Sequence, residues 1–234
     1  MKEFFTDFLN NRTLIFYVIS GIALLLTRIP VAGIYFRSIN TLIHEAGHAF
    51  VTLILSGEVI AVNLFADTSG STVTKAKNKF SQVLIAVAGY PFSSLMAFIL
   101  LFLLSRGYYL YILFFFASLT LLLMVLSIRD GYGLFWAGTF SVINLLLIYF
   151  NHPIAIFMAS AFFSLVVLTD SVLSSVILFV LSIKTPRKAG DATNLHKFTR
   201  IPAVVWSLIF LSLALLVAYF SIVNFFPSPV NMFK

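Results

Sequence analysis

Cysteine is absent from the chain and charge is scarce, with only 10% of its 234 residues Asp, Glu, Lys or Arg. The missing cysteines exclude disulfides and Cys-ligated metal, and leave the redox compartment open. The scarcity of charge excludes an ordinary globular domain, in which about a quarter of residues are charged. Neither a long disordered linker nor an internal repeat divides the chain, so residues 1–234 read as a single membrane domain. What stands in place of charge is an apolar excess, 61% hydrophobic residues with 27 Phe and a mean hydropathy of +1.05. Lipid contact and core packing account for that much phenylalanine without any cofactor.

A spanning helix needs about 20 largely apolar residues. Candidates lie near 13–29, 33–56, 80–105, 108–128, 132–150, 153–183 and 201–226. The fold class expected is therefore all-α membrane, a polytopic bundle of about seven transmembrane helices. The first run is too long for a signal-peptide core, so it reads as a retained anchor. The sixth is long enough to tilt or to project beyond the bilayer. Between the second and third lies "EVIAVNLFADTSGSTVTK", where β-branched residues flank Asp67-Thr68-Ser69-Gly70. That segment, about 58–75, reads as a short hairpin at the interface or inside the protein, since lipid does not tolerate unpaired strand edges.

The net charge of +7 does not point to nucleic acid, because the basic residues cluster between apolar runs and no nucleic-acid motif is present. They read instead as charges that orient the helices. Seven crossings place Lys2, Arg12, Lys75, Lys77, Lys79, Arg129, Lys184, Arg187, Lys188, Lys197 and Arg200 on one side, against Arg28, Arg37, Arg106 and Lys234. The positive-inside rule makes the first side cytoplasmic. The expectation is a multi-pass protein of the cell membrane, with its N-terminus cytoplasmic and its C-terminus outside.

The second apolar run contains His44-Glu45-Ala46-Gly47-His48, which fits H-E-x-x-H. On a helix the two histidines lie one turn apart on one face, so both imidazoles reach the same metal ion. Zinc accepts neutral imidazole nitrogen at about 2.0–2.1 Å. It acidifies water to a pKa of roughly 7, and Glu45 beside that face is placed to take the proton and pass it to a leaving amine. Arg37, Thr41, His44, Glu45, His48 and Thr52 recur at three- or four-residue steps as a polar stripe. Each ionisable residue at a helix centre costs about 2.5–3.5 kcal/mol even on the lenient insertion scale, so the stripe should face a cavity and not lipid.

With "NTLIHEAGHA" this chain resembles the site-2-protease-type intramembrane zinc metallopeptidases, and more closely their small B-like branch. The resemblance covers most of the chain and continues through "AGYPFSS" at 88–94, "SIRDGYG" at 127–133 and "GDATNLHKFTRIPAVVW" at 190–206. It implies a membrane-embedded zinc endopeptidase that cuts within or near the bilayer, acting on membrane-embedded or membrane-associated protein substrates. It also implies a third metal ligand, an Asp in a D-G motif, which Asp130-Gly131 matches. Depth in the membrane favours Asp170 instead, since it already lies well inside the sixth run. The resemblance marks Asp191 too, but its reading from the residues is a cap on a local turn or helix.

Other polar positions read more plainly. His152 and His196 sit in predicted loops and are expected to be solvated, and Asn144 is expected to link helices by hydrogen bonds. Pro91 in "GYP" is expected to bend the third helix. The strand-like run Val59–Phe65 offers an edge on which an extended substrate can add as a strand. Two readings of other classes stand beside the protease: a non-proteolytic scaffold that grips transmembrane proteins, and an ion- or proton-coupled transporter. The intact Glu45 favours the enzyme, and paired broken helices in two related halves, the mark of a transporter, are not evident.

Overall fold

The computed structural model describes residues 11–233. Its helices are α1 (Arg12–Leu26), α2 (Pro30–Ile54), α3 (Lys79–Ser105), α4 (Tyr109–Leu126), α5 (Gly131–Phe150), α6 (Pro153–Lys184), α7 (Gly190–Thr199) and α8 (Ala203–Phe225). Strands β1 (Glu58–Leu64) and β2 (Gly70–Lys75) form an antiparallel hairpin between α2 and α3. The expected helical membrane bundle with a small hairpin is what forms.

Side chains write most of the boundaries. Asn11, Asn78 and Asp130 accept hydrogen bonds from Leu14, Ser81 and Gly133 amides and so cap α1, α3 and α5. Pro30 and Pro153 open α2 and α6, where a missing N–H costs nothing. α6 is the hub, packed against α1 to α4 and α8. Ser160, Ser164, Ser171, Ser175 and Ser182 are buried along it, and small residues let helices approach closely in lipid. Large apolar residues such as Leu122, Phe135, Tyr149 and Val223 point outward, as a lipid-facing surface requires.

Five helices, α3 to α6 and α8, are each long and apolar enough to cross a membrane. α1 and α2 qualify only together, as a pair bent by 109°. The bend falls at Thr27–Ile29, where the Thr27 hydroxyl donates back to the Ala23 and Leu24 carbonyls and Pro30 restarts the helix. The count is thus up to six and not seven, and the difference changes the topology. At one end of the bundle Asn11 Nδ2 donates to the Asn231 carbonyl at 3.3 Å and Tyr17 donates to the Pro227 carbonyl at 2.7 Å. Both ends of the described chain therefore lie on the same side, whereas seven crossings had set them apart. Arg12 joins that side, beside Tyr109 and Phe157. Lys2 and Lys234, counted in the charge balance, lie outside the described residues.

The hairpin packs along α2 with its tip toward Thr41, whose hydroxyl donates to the Thr68 carbonyl at 2.9 Å. The outer edge of β1 is already taken. Val62 N–H donates to the Ser127 carbonyl at 2.9 Å, and Leu64 N–H to Asp130 Oδ1 at 3.0 Å. Val59–Phe65 is therefore not the open edge. Because Val62 and Leu64 donate away from β2, their partners Thr72 and Gly70 turn their backbone groups away from β1. The open edge belongs to β2. Pro91 stays within a continuous α3, Asn144 Nδ2 bonds the Phe140 carbonyl of its own helix, and the expected helix-to-helix link is not made.

The cysteine-free chain allows a direct check of this topology. Single cysteines replacing Asn11 and Ser228 should both react with a membrane-impermeant maleimide added from one side. One replacing Lys77 should react only from the other side.

Candidate metal centre

His44 and His48 lie on consecutive turns of α2, and their rings meet edge to face with centroids 4.7 Å apart. His48 Nδ1 is 2.6 Å from the Ile85 carbonyl of α3 and donates its proton there, so Nε2 is the nitrogen turned toward the other residues. Nε2 of His48 lies 3.0 Å from Nε2 of His44. Tyr90 packs edge-on against the His44 ring and stacks in turn on Phe210 of α8.

The third member is Asp191, in the first turn of α7. Its Oδ2 lies 3.0 Å from His44 Nε2 and 3.2 Å from His48 Nε2. Burial alone would raise the Asp191 carboxyl, but the imidazoles beside it, His48 foremost, hold it well below the usual carboxylate range. The three atoms suit one ion. A tetrahedral site with bonds of about 2.0–2.1 Å separates neighbouring ligand atoms by roughly 3.3–3.4 Å. The observed 3.0–3.2 Å is close to that, and acceptors this near to one another need a cation or shared protons between them. Among the described residues, His44, His48 and Asp191 are the cluster able to hold a metal.

Neither aspartate expected from the sequence joins them. Asp130 caps α5 through Gly133 N–H at 2.6 Å and receives Leu64 N–H at 3.0 Å, so it ties the hairpin to a helix end. Asp170 is buried against α2, accepting from Arg37 Nε at 2.7 Å and from Asn40 Nδ2 at 3.3 Å. His152 caps α6, and His196 Nδ1 bonds the Ile201 carbonyl; both lie outside the cluster. Asp191 does not act as the cap it was expected to be, because no side-chain hydrogen bond caps α7.

Glu45 is 4% exposed and lies under the hairpin. Thr72 of β2 donates to its Oε2 at 2.6 Å. Its other oxygen, Oε1, lies beside Gly70, and a β-carbon at that glycine would overlap it. A β-carbon at Gly89 of α3 would likewise overlap both imidazoles. These two glycines let backbone approach the site, a use the composition alone does not signal. The residues surround a cavity of about 830 Å³, with Arg37, His44, Glu45, Thr72, Asp170 and Asp191 in its walls. At its rim the hydroxyl and amide of Ser69 hold Asp67 below its ordinary carboxylate value.

A family model described as Peptidase M50B-like matches residues 16–221. No curated protein and no solved structure matches the chain.

Removing a ligand tests the assignment. His44→Ala, His48→Ala and Asp191→Ala should each weaken zinc binding by more than the roughly 10–100-fold that losing an outer partner costs. Asp130→Asn and Asp170→Asn should leave the uptake of added zinc, measured by metal analysis after dialysis, as in wild type.

Proposed function

The chain belongs to the Peptidase M50B-like family, and on that premise we propose that it is an intramembrane zinc metalloendopeptidase acting on membrane-associated proteins. The observation that carries the reading is the meeting of His44 Nε2, His48 Nε2 and Asp191 Oδ2 beside Glu45, in one cavity of a membrane bundle. Two neutral imidazoles and a carboxylate form a donor set that suits zinc and leaves a fourth position for chemistry. When bound, zinc supplies a Lewis acid that polarises the scissile carbonyl and acidifies water.

The chain's own groups supply the rest. Glu45 is the general base, with Oε2 held by the Thr72 hydroxyl and Oε1 left to receive the proton from water. The same carboxyl then returns that proton to the leaving amine. The Ile85 carbonyl keeps the His48 proton away from the metal-facing nitrogen, and Tyr90 keeps the His44 ring in place. The open edge of β2, with Gly70, Thr72 and Thr74 in the cavity wall, is suited to hold an extended substrate beside Glu45. Peptide hydrolysis needs such an extended segment, and lipid alone offers its backbone no partners.

Charge supports an orientation with the hairpin end in the cytoplasm. Among the described residues that end carries Lys75, Lys77, Lys79, Arg129, Lys184, Arg187, Lys188, Lys197 and Arg200, whereas the opposite end carries Arg12 and Arg106. This keeps the expected cytoplasmic hairpin and moves the N-terminal end of α1 to the outside.

Glu45→Gln separates metal binding from catalysis. Purified wild-type protein and the variant should hold equal zinc, while cleavage of a transmembrane substrate falls by at least about 10²-fold, the lower range for losing a general base. Equal cleavage by both would remove Glu45 from the mechanism.

A further inference from the structure

Arg37 is a cation on the cavity wall that the proposed chemistry does not use. It lies on α2 seven residues before His44, and its side chain is 25% exposed. Asp170 binds it side-on, through Nε alone at 2.7 Å, and Asn40 Nδ2 steadies the far carboxylate oxygen at 3.3 Å. Among the described residues no group accepts from its two terminal nitrogens. A guanidinium has five N–H donors, so four remain for whatever enters the cavity. In a bilayer-embedded bundle, donors held in this way select for an acceptor.

Resting on the protease reading, we propose that Arg37 is a specificity-determining subsite that takes a hydrogen-bond acceptor of the substrate, a side-chain amide or carboxylate, at a fixed distance from the cut. Seven residues of α-helix rise about 10.5 Å, and an extended chain covers that in about three residues. Direction follows from the hairpin. Gly70 lies beside Thr41 and Glu45, Thr72 beside Glu45, and Lys75 near Gly57, so β2 runs the same way as α2. A substrate strand added antiparallel to β2 therefore runs from Glu45 toward Arg37. The acceptor then falls about three residues C-terminal to the scissile bond.

The test uses leucine–alanine transmembrane peptides in micelles, each with a single Asn placed at successive positions, and zinc-loaded full-length protein. Because a uniform segment has no register of its own, Asn sets it. Mass spectrometry of the products should show a cut that moves with Asn and stays about three residues N-terminal to it. Cleavage efficiency should exceed that of the Asn-free peptide by about tenfold. In Arg37→Lys that ratio should fall below about twofold and the cut should no longer track Asn. A cut indifferent to Asn, or one that tracks it equally in Arg37→Lys, overturns the subsite. Binding to the Glu45→Gln protein is read in parallel, with Asn peptides expected to bind about tenfold tighter than the Asn-free peptide. Equal binding also overturns the subsite. Tighter binding that Arg37→Lys abolishes, with no cleavage by wild type, upholds Arg37 as the acceptor-binding group while rejecting the protease reading and with it the distance from a cut.

Discussion

The hydrogen bond from His48 Nδ1 to the Ile85 carbonyl decides what the rest of the site can be. It holds a proton on the outward nitrogen and turns Nε2 toward His44 and Asp191. For that bond to form, α2 and α3 must pack closely, and a side chain at Gly89 would overlap both rings. α7 must then bring Asp191 to within 3.2 Å of both imidazoles. Three elements far apart in the chain are bound by one requirement: lone pairs gathered in a low-dielectric interior need a positive charge among them.

The hairpin adds a second constraint of the same kind. A strand inside or against a membrane bundle must satisfy its edges. β1 does so against Ser127 and the Asp130 carboxylate, and β2 leaves its edge toward the cavity. The Asp130 carboxylate is thus committed twice, to the Gly133 amide of α5 and to the strand. A carboxylate so engaged would give up both contacts to reach a metal. Asp170 is committed in a different way, as the counter-ion that makes Arg37 tolerable within the bundle.

These commitments explain what was legible in the sequence and what was not. His44, Glu45 and His48 were readable because their relation is local, one turn of one helix. The apolar runs located α3 to α6 and α8 to within a few residues, since lipid imposes length and hydropathy together. The place of Asp191 beside the two histidines was not readable. It stands 147 residues from His44 in a short polar helix, and no periodicity connects the two. Asp130 is ambiguous in the sequence because a D-G pair at the start of a helix serves an N-cap equally well, the use the structure shows. The seventh crossing misled because composition does not report a bend. The polar stripe that builds the site lowers the hydropathy of α2, so α2 qualifies as a span only together with α1.

The same stripe explains why, in the proposed reading, recognition and catalysis fall on one helix. Arg37, Asn40, Thr41, His44, Glu45 and His48 cannot face lipid, so α2 must turn them all to the cavity. A helix fixes distances along that face at about 1.5 Å per residue. β2 runs alongside in the same sense, which fixes the path of any chain paired with it. Thr72 then joins the two rulers, since its backbone belongs to the open edge and its hydroxyl holds the Glu45 carboxylate. A substrate seated on that edge, as proposed, would be in register with Glu45 at one point and with the Arg37 guanidinium at another. Ordering a flexible segment against two fixed points costs entropy once, and the rigid pairing of α2 with β2 means it need not be met again at the reacting bond.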